Sequence, residues 1–390
     1  MRDIWDDVVA ERKKAINRKK LILAILIGIV LIAIITLIIL YFSVKNFREW
    51  VDVSILNKEV HQNSATTIEL TDEGSKIYAF NSNIGILSKN KFKIYNGNGN
   101  ADATLDVDIT NPLFTSSNRF LAIAEKSGKK IYVIEDKKIL WNTEVEGEIS
   151  QVHINKNGYV ALVITNTSYK TVVSVFDNEG NPLFSKYLAT SRLADVCISN
   201  DNKFLALAEV DTSGSLIQSN IKIVSVADPK NTEEKIFNGE ANSLIINIKF
   251  QDNNRLVCMY DNSVHVIYGE KDEVLVDNNK QKVSFTSIEL NNNVVNVREQ
   301  STGVFTADSI INIINTDNGS TKEYVINDVT KEINTYENVI ALNLGSEIEF
   351  INTDGFLIKR YIAKQEITNT VISNSIAGIV YRDKVEIVNL

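Results

Sequence analysis

The chain of 390 residues has a formal net charge of −8 and contains two cysteines, Cys197 and Cys258. Two cysteines in a chain of this length exclude a disulfide-stabilised scaffold. Because acidic residues outnumber basic ones, the chain is a poor candidate for binding nucleic acid or another polyanion.

The first predicted element is the apolar segment of residues 21–44, which contains no charged side chain. A helix of this length rises about 36 Å, enough to cross a hydrocarbon layer about 30 Å thick. No small-residue cleavage site follows it, so the sequence favours an uncleaved transmembrane helix over a signal peptide. A buried core helix is the alternative, but such helices rarely lack a polar face over this length.

Charges on the two sides of this segment predict its orientation. Residues 1–20, before the apolar segment, contain seven basic and four acidic side chains. Close after the segment, the basic residues are only Lys45 and Arg48. Basic residues before a first span hold that end in the cytoplasm. We therefore predict a basic cytoplasmic tail at 1–20, a transmembrane helix in the lipid bilayer at 21–44, a juxtamembrane stalk at 45–65 and an extracytoplasmic domain at 66–390.

After residue 65 the pattern is typical of many short antiparallel strands, because runs rich in Val, Ile, Phe and Tyr alternate with turn residues. One strand type, two apolar residues before a turn residue, recurs at intervals of about 40–50 residues, the length of a four-stranded propeller blade. Its eight copies begin at Ile94, Val133, Val175, Val226, Val266, Ile313, Phe350 and Ile387. The sequence therefore predicts an all-β ectodomain, an eight-bladed β-propeller of four-stranded antiparallel blades. A β-sandwich and a β-helix are less favoured alternatives.

The eighth repeat lacks an outer strand, because the sequence stops after the third strand at residues 384–390. Unpaired strand edges promote aggregation. The short strand-like segment 66–71 precedes the first inner strand at 76–80 and has no partner within its own repeat. We predict that residues 66–71 close the ring as the outer strand of the eighth blade. A seven-bladed ring is the alternative, if residues 76–109 do not form a blade.

The repeat has a recognisable form. A turn of the type Asp-x-x-Gly, as at 177–180, precedes an aromatic position, which holds Trp141 in one unit and Phe184 in another. This form resembles the repeat of quinoprotein-like (PQQ-type) propellers, and WD40 repeats are looser relatives. The whole layout resembles a bacterial family of single-pass, membrane-anchored propellers, of the type of domain of unknown function 5711. The resemblance implies a propeller over most of residues 66–390 and no known activity. Quinoprotein dehydrogenases hold their cofactor with adjacent cysteines, which this sequence lacks, so we expect no cofactor.

Histidines and carboxylates show no metal-binding spacing. His61, His153 and His265 lie far apart, and none has a cysteine or carboxylate at the spacing of metal ligands. His153 and His265 fall in strand-like runs, where we expect structural, hydrogen-bonded side chains. The sequence therefore predicts no metal ligand among them.

Asp106, Asp108 and Asp201 are the carboxylates that best fit a strand face or a channel mouth, but they lack the spacing of a calcium-binding loop. We expect them to be solvated charges. The glycine-rich run 96–100 joins two strands and is typical of a β-turn rather than a phosphate-binding loop. No catalytic, cofactor-binding or metal-binding residue is predicted.

The two cysteines lie in apolar, strand-like runs. We expect buried, unpaired thiols, with Cys197 in the inner strand of the third blade and Cys258 in the second strand of the fifth.

Three functions remain open. The first is a scaffold that binds another protein at the cell surface without catalysis. The second is an enzyme, a hydrolase or an oxidoreductase, with its site in the central channel. The third is a sensor that signals through residues 1–20 to a cytoplasmic partner. Insertions at 211–220, 228–234 and 300–308 are the candidate binding loops, because long loops on a rigid scaffold often carry function. No individual ligand-binding residue can be named from these loops.

Overall fold

The structure is a computed structural model, and it describes residues 18–44, 47, 51, 55, 66–72, 74–211, 214, 217–230, 234–239, 243–252, 254–280, 282–303 and 306–390. The chain divides into two units, Met1–Glu59 and Val60–Leu390. The predicted cytoplasmic tail lies outside the described residues except for 18–20, and so does the predicted stalk except for 47, 51 and 55.

The first unit contains helix α1, Arg18–Ser43. Its long run of Leu, Ile, Ala and Val contains no proline and no charge after Lys20, so nothing in the sequence interrupts the helix. Its apolar side chains are exposed around the whole circumference, from Ile25 to Phe42. The stretch Ile25–Ser43 is long and apolar enough to cross a membrane. The chain therefore has an N-terminal apolar helix that fits a hydrocarbon environment.

The second unit is a ring of eight blades, each a four-stranded antiparallel sheet. Strand β1 (Thr66–Glu69) comes first. Blades 1 to 4 are β2 (Lys76–Phe80), β3 (Asn83–Ser88), β4 (Lys91–Asn96), β5 (Ala101–Asp106); β6 (Pro112–Ser117), β7 (Phe120–Glu125), β8 (Lys130–Glu135), β9 (Lys138–Glu144); β10 (Glu148–Ile154), β11 (Val160–Thr165), β12 (Thr171–Phe176), β13 (Pro182–Leu188); and β14 (Arg192–Ile198), β15 (Phe204–Asp211), β16 (Gln218–Ser225), β17 (Lys235–Asn238).

Blades 5 to 8 follow in the same order, from the inner strand to the outer one. They are β18 (Ile245–Phe250), β19 (Leu256–Tyr260), β20 (Ser263–Tyr268), β21 (Lys271–Asp277); β22 (Val283–Ser287), β23 (Asn293–Ser301), β24 (Ala307–Asn315), β25 (Thr321–Ile326); β26 (Glu332–Tyr336), β27 (Val339–Asn343), β28 (Glu347–Asn352), β29 (Leu357–Ile362); and β30 (Asn369–Ile372), β31 (Ile376–Val380), β32 (Lys384–Asn389), with β1 as the outer strand. A short 3-10 helix, Asn278–Lys280, links blades 5 and 6.

The eight-bladed prediction is confirmed. Residues 76–106 form a complete first blade, which rules out the seven-bladed alternative. Strand β1 pairs antiparallel with β32, with Thr66 opposite Ile387 and Glu69 opposite Lys384. The ring is therefore closed by residues from the two ends of the propeller sequence. The strand ends at Glu69, two residues before the end of the segment that the sequence suggested.

An apolar cluster fills each of the eight gaps between neighbouring blades. The second and third strands are nearly continuous apolar runs because each blade is covered on both faces by its neighbours. Ile68 of β1 packs with Ile84 of blade 1 and Ile387 of blade 8. The closing strand thus contributes to the core as well as to the sheet.

The resemblance to PQQ-type repeats has a packing basis. Gly180 lies in the turn between β12 and β13 with a φ of +86°. A Cβ atom there would lie 2.7 Å from the ring of Trp141, which belongs to the outer strand of the preceding blade. Glycine is required both by the positive φ and by the close approach of the indole. The contact between the turn glycine and the aromatic ring therefore joins one blade to the next.

Two buried polar clusters lock the outer parts of blades 6, 7 and 8. Glu349, which is 3% exposed, accepts hydrogen bonds from the Tyr324 hydroxyl at 2.9 Å and from the Arg360 Nε at 2.9 Å. In the next interface Glu386 accepts from the Tyr361 hydroxyl at 2.7 Å. In both clusters a tyrosine of the preceding blade's outer strand meets a glutamate of a third strand. We call these two clusters the tyrosine–glutamate clasps.

The inner strands of blades 3 to 6 differ from the other four. Each contains a β-bulge, at Ser150, Ala194, Ile246 and Ser284 respectively. The inner strands of blades 7, 8, 1 and 2 pair with their second strands without a register shift. A bulge bends its strand and re-aims the following side chains. In blades 3 to 6 the side chains that follow the bulge therefore point in directions that differ from those of the regular inner strands in the other four blades.

Candidate functional site

Because each blade is an antiparallel meander, its connections alternate between the two faces of the ring. We call the face with the turns between first and second strands the A face. The opposite face, with the hairpins between second and third strands, is the B face. A central cavity of about 530 Å³ is lined by inner strands and by A-face turns such as Asn118 and Asn291. Seven of the eight blades contribute to its wall, from Tyr78 in blade 1 to Tyr336 in blade 7.

Asp195 follows the bulge of blade 4 and joins two blades at the cavity wall. Its Oδ1 accepts the backbone N–H of Val196 at 2.8 Å, and its Oδ2 accepts that of Ile248 in blade 5 at 2.9 Å. Burial raises the pKa of Asp195 to about 7, because no cation among the described residues offsets the loss of solvation. The carboxyl therefore exchanges its proton near neutral pH.

Glu289 in blade 6 has the opposite electrostatic surroundings. Burial opposes its ionisation, but the Lys249 ammonium lies 3.0 Å from its carboxylate and holds the pKa of Glu289 below its usual range. The same ammonium donates to the backbone carbonyl of Glu289 at 2.6 Å. The pair is charged at neutral pH and ties blade 5 to blade 6.

His153 lies in the same cavity, on the inner strand of blade 3. Burial lowers the pKa of His153 to about 4, so its imidazole is neutral. No hydrogen bond joins either ring nitrogen to a described residue, and the half-buried ring faces the cavity. The expectation of a hydrogen-bonded structural histidine stays a prediction for His153. His265 does meet that expectation, because Asp272 lies 2.9 Å from its Nδ1 and Ser263 lies 3.1 Å from its Nε2. His61 lies outside the described residues.

Aromatic side chains form another part of the cavity wall. Tyr78 and Phe114 stack with ring centroids 5.0 Å apart and an interplanar angle of 19°. The Ser116 hydroxyl lies 3.5 Å from the Tyr78 hydroxyl. The buried hydroxyl of Tyr336 forms no well-aligned hydrogen bond with a described residue, although the Ser116 side chain and the Asn118 backbone lie near it. The wall thus combines aromatic rings with neutral polar atoms.

The B face carries two of the three predicted insertions. Residues 211–220 and 300–308 lengthen the hairpins β15–β16 and β23–β24, although 212–213, 215–216 and 304–305 are outside the described residues. The second strands β15 and β23 are three and four residues longer than β19, the second strand of blade 5. The extra length is about 10–14 Å. The third insertion, 228–234, lies on the A face. The two long hairpins therefore flank blade 5.

An apolar surface, here called the rim patch, lies at the B face of blades 4 and 5. It consists of Ile217, Leu244 and Ile246, which are 46%, 38% and 49% exposed. The backbone N–H of Ile245 donates to the Ser219 hydroxyl at 3.1 Å, which brings the two blades together at this point. A second cavity, of about 520 Å³, adjoins Ile246. This cavity is also lined by Met259 and Phe285.

The other predicted residues are structural. Asp106 is exposed and pairs with Lys91, and Asp108 pairs with Lys130, as expected for solvated charges. Asp201 accepts from the Ser199 hydroxyl at 2.7 Å within a turn. The run 96–100 forms the turn between β4 and β5, as predicted. Among the described residues, no group of three or more histidine, cysteine and carboxylate side chains is placed to hold a metal ion.

Both cysteines are buried and unpaired, as predicted. Burial raises the pKa of both thiols, so they are protonated and unreactive. Cys258 lies in the second strand of blade 5, as expected. Cys197 lies in the inner strand of blade 4, and its assignment to the third blade was wrong. The inner strand opens each blade, so the strand after the outer strand of blade 3 already belongs to blade 4.

Sequence reasoning missed Asp195, Lys249, Glu289 and Tyr336. Each lies on or just after an inner strand, where a single polar residue interrupts an apolar run. Superposing the inner strands of all eight repeats would have marked these positions as facing one channel. The bulges that bring Asp195 and Asn247 to the cavity leave no comparable signal in the residue pattern.

Solved structures with low sequence identity share the architecture. The crystal structure of BamB from Moraxella catarrhalis is 13% identical, with a TM-score of 0.48, and the match covers 84% of this chain and 97% of that one. The dihydro-heme d1 dehydrogenase NirN is 11% identical, with a TM-score of 0.51 and coverage of 82% and 72%. The β-propeller domain of Cps50 (Swd1) from Myceliophteria thermophila is 11% identical, with a TM-score of 0.46 and coverage of 74% and 97%. At such identities the likeness concerns the fold alone.

No curated protein sequence matches the chain. A family model does match it, over residues 57–390, which include the whole propeller. The resemblance inferred from the repeats and the layout is thereby confirmed. The chain belongs to DUF5711, a family of unknown function.

Proposed function

We propose that the protein is a single-pass membrane protein whose propeller binds a partner protein on the outer side of the membrane, without catalysing a reaction. Helix α1 is the anchor in this proposal. The basic residues before it hold the N-terminus in the cytoplasm, and the acidic propeller is extracytoplasmic.

The observation that carries this proposal is the rim patch. Ile217, Leu244 and Ile246 expose neighbouring apolar side chains on a face that also bears the two longest hairpins. Contiguous exposed apolar surface on a soluble domain typically marks an interaction site. The partner that fits is a protein segment with apolar side chains, which would lie over blade 5 between the hairpins of blades 4 and 6.

The absence of catalysis is supported by how the channel uses its ionisable groups. Asp195 accepts two backbone N–H groups, and Glu289 is paired with Lys249. A general base or nucleophile needs a group that is free to reach the substrate in its reactive protonation state. In the described part of the channel Asp195 and Glu289 hold neighbouring blades together. His153 is the remaining neutral base, and no described hydroxyl, thiol or carboxyl group is hydrogen-bonded to it.

A cross-linking experiment tests the partner surface. A photo-reactive amino acid placed at Ile246 of the full-length protein in intact cells should give one discrete adduct. The same probe at Val274, which is 55% exposed on the outer strand of blade 5, is the matched control and should give none. Leu244→Glu should abolish the adduct at Ile246, and the purified partner should bind the wild type but not this variant. Equal adducts at both positions would contradict the proposed surface.

A protease test addresses the topology. Protease added to intact cells should digest the propeller and spare an epitope fused to the N-terminus. Protection of the propeller in intact cells would contradict the proposed orientation, whatever the outcome of the cross-linking experiment.

A further inference from the structure

Most charged groups of the central cavity are compensated within the protein, and the Glu337 carboxylate accepts a hydrogen bond from the Asn374 amide. Lys249 pairs with Glu289, and Lys156 pairs with Asp252 at 3.3 Å. Asp195 has no cation, but both of its oxygens accept backbone N–H groups. A strongly charged ligand would have to break one of these arrangements. An anion would also meet a wall in which carboxyl groups outnumber ammonium groups.

The groups that remain unused in the cavity are neutral. The imidazole of His153 is uncharged at neutral pH, because burial lowers the pKa of His153 to about 4. One of its nitrogens donates and the other accepts, and neither has a partner in the described part of the protein. The His153 ring is half-buried, so its nitrogens are open to a molecule in the cavity. The buried Tyr336 hydroxyl forms no well-aligned hydrogen bond with a described residue, although the Ser116 side chain and the Asn118 backbone lie near it. A ligand hydroxyl beside the Tyr336 hydroxyl would satisfy a buried polar group that otherwise costs free energy.

The remaining wall suits a ligand with apolar as well as polar faces. The rings of Tyr78 and Phe114 lie together on one side of the cavity. Its volume of about 530 Å³ falls in the range of about 300–1,000 Å³ that is usual for small-molecule sites. Neutral hydrogen-bonding groups beside aromatic rings match the alternating hydroxyl and C–H surfaces of a sugar.

We propose that the central cavity binds a neutral carbohydrate, either a free sugar or the end of a neutral glycan. His153 and Tyr336 hydrogen-bond its hydroxyl groups, and the pair Tyr78–Phe114 packs against its C–H surface. The ligand enters from the A face, where the cavity wall includes turn residues. This site is on the opposite face of the ring from the rim patch, so it does not depend on the proposed partner surface.

The test uses the full-length protein in lipid nanodiscs, since sugar-headed detergents would compete for the site. The protein is presented to an array of neutral, uronic-acid-terminated and amino-sugar-terminated oligosaccharides. We expect a subset of the neutral probes to bind at least tenfold more tightly than their acidic or amino counterparts. Binding that is confined to charged probes, or no binding to any neutral probe, overturns the proposal.

Substitutions at His153 then locate the site. His153→Phe keeps an aromatic ring but removes both nitrogens, and should weaken the binding of the selected neutral probe at least tenfold. His153→Gln keeps one donor and one acceptor and should restore part of the affinity. Tyr268→Phe, at an exposed tyrosine outside the cavity, is the control and should bind as the wild type does. Unchanged affinity in both His153 variants overturns the assignment, and far-ultraviolet circular dichroism shows that each variant is folded.

Discussion

Polar groups of the ring lie in two regions, one at the central cavity and one between the outer parts of neighbouring blades. In blades 3 to 6 the inner strands are bulged, and their polar side chains point to a central cavity, where the Glu289 side chain is 46% exposed. In blades 7, 8, 1 and 2 the inner strands are regular. The tyrosine–glutamate clasps of blades 6 to 8 lie farther from the ring axis, between the outer strand of one blade and the third strand of the next, and the side chain of Glu349 is 3% exposed. Two glutamates, Glu289 at the cavity and Glu349 between the outer parts of two blades, thus have different surroundings.

This difference separates groups that hold the fold from groups that are available to a ligand. The clasp at Glu349 has a donor from its own blade and a donor from the preceding one, both at hydrogen-bond distance. In the cavity, by contrast, His153 has no partner among the described residues. A polar group that is fully buried and fully satisfied stabilises a unique arrangement, whereas a half-buried one with spare capacity can bind.

Glu349→Ala should have the largest effect on stability. It removes the acceptor of both the Arg360 guanidinium and the Tyr324 hydroxyl. Removing one partner of a buried ion pair costs about 3–5 kcal/mol. The control is Glu323→Ala, which breaks an exposed pair with Arg298 at 3.6 Å and should cost less than about 1 kcal/mol. Urea unfolding of the full-length protein measures both, and equal losses would contradict the structural role of the clasp.

Ile68→Ala should cost somewhat less, about 2–4 kcal/mol, because it leaves a cavity where β1 packs between blades 8 and 1. Thr67→Ala is the matched control, since Thr67 is exposed on the other side of the same four-residue strand. It should change the unfolding free energy by less than about 0.5 kcal/mol. Similar small losses in both variants would mean that ring closure contributes little to stability.

The sequence predicted the repeat, the blade number and the closing strand because these depend on alternation of apolar residues with turns. The pairing of β1 with β32 follows from counting strands, and Gly180 and Trp141 carry a local packing motif. The cavity could not be predicted in the same way. Asp195 and Glu289 are far apart in sequence, and their approach depends on bulges and on the curvature of the whole ring. His153 shows most clearly what periodicity can predict. The pattern placed His153 in a strand, as the structure has it, but could not show which groups surround its ring.

Lys249→Met should have a small effect on stability although it breaks an ion pair. The Glu289 carboxylate is half-exposed to the cavity, so water can replace the ammonium, and we expect a loss of less than about 1 kcal/mol. The pKa of Glu289 should rise, because burial then acts without the opposing charge. Urea unfolding and carboxyl-carbon NMR measure the two quantities. A loss as large as that of Glu349→Ala would show that the channel pair is also a clasp.

The smallest net effect is expected from Asp195 and His153 together, because their contributions to the pH dependence of stability oppose each other between about pH 4 and pH 6.5. Asp195 has a pKa of about 7 in the folded protein and about 3.9 when unfolded. The folded state therefore holds a proton that the unfolded state has lost, and this contribution to stability falls as the pH rises. His153 has a pKa of about 4 when folded and about 6.5 when unfolded. Here the unfolded state holds the extra proton, so its contribution rises with pH over the same interval.

Single substitutions should reveal the two opposed slopes. Asp195→Asn leaves the His153 contribution, so relative to the wild type the unfolding free energy should increase from pH 4 to pH 6.5. His153→Phe leaves the Asp195 contribution, so relative to the wild type the unfolding free energy should decrease over that range and on to about pH 7. The loss of a hydrogen-bond acceptor in Asp195→Asn shifts the whole curve but does not change its slope, because the amide does not titrate. Urea unfolding at half-unit pH intervals gives the slopes. Parallel curves for the wild type and both variants would show that neither side chain has the protonation behaviour that the cavity imposes.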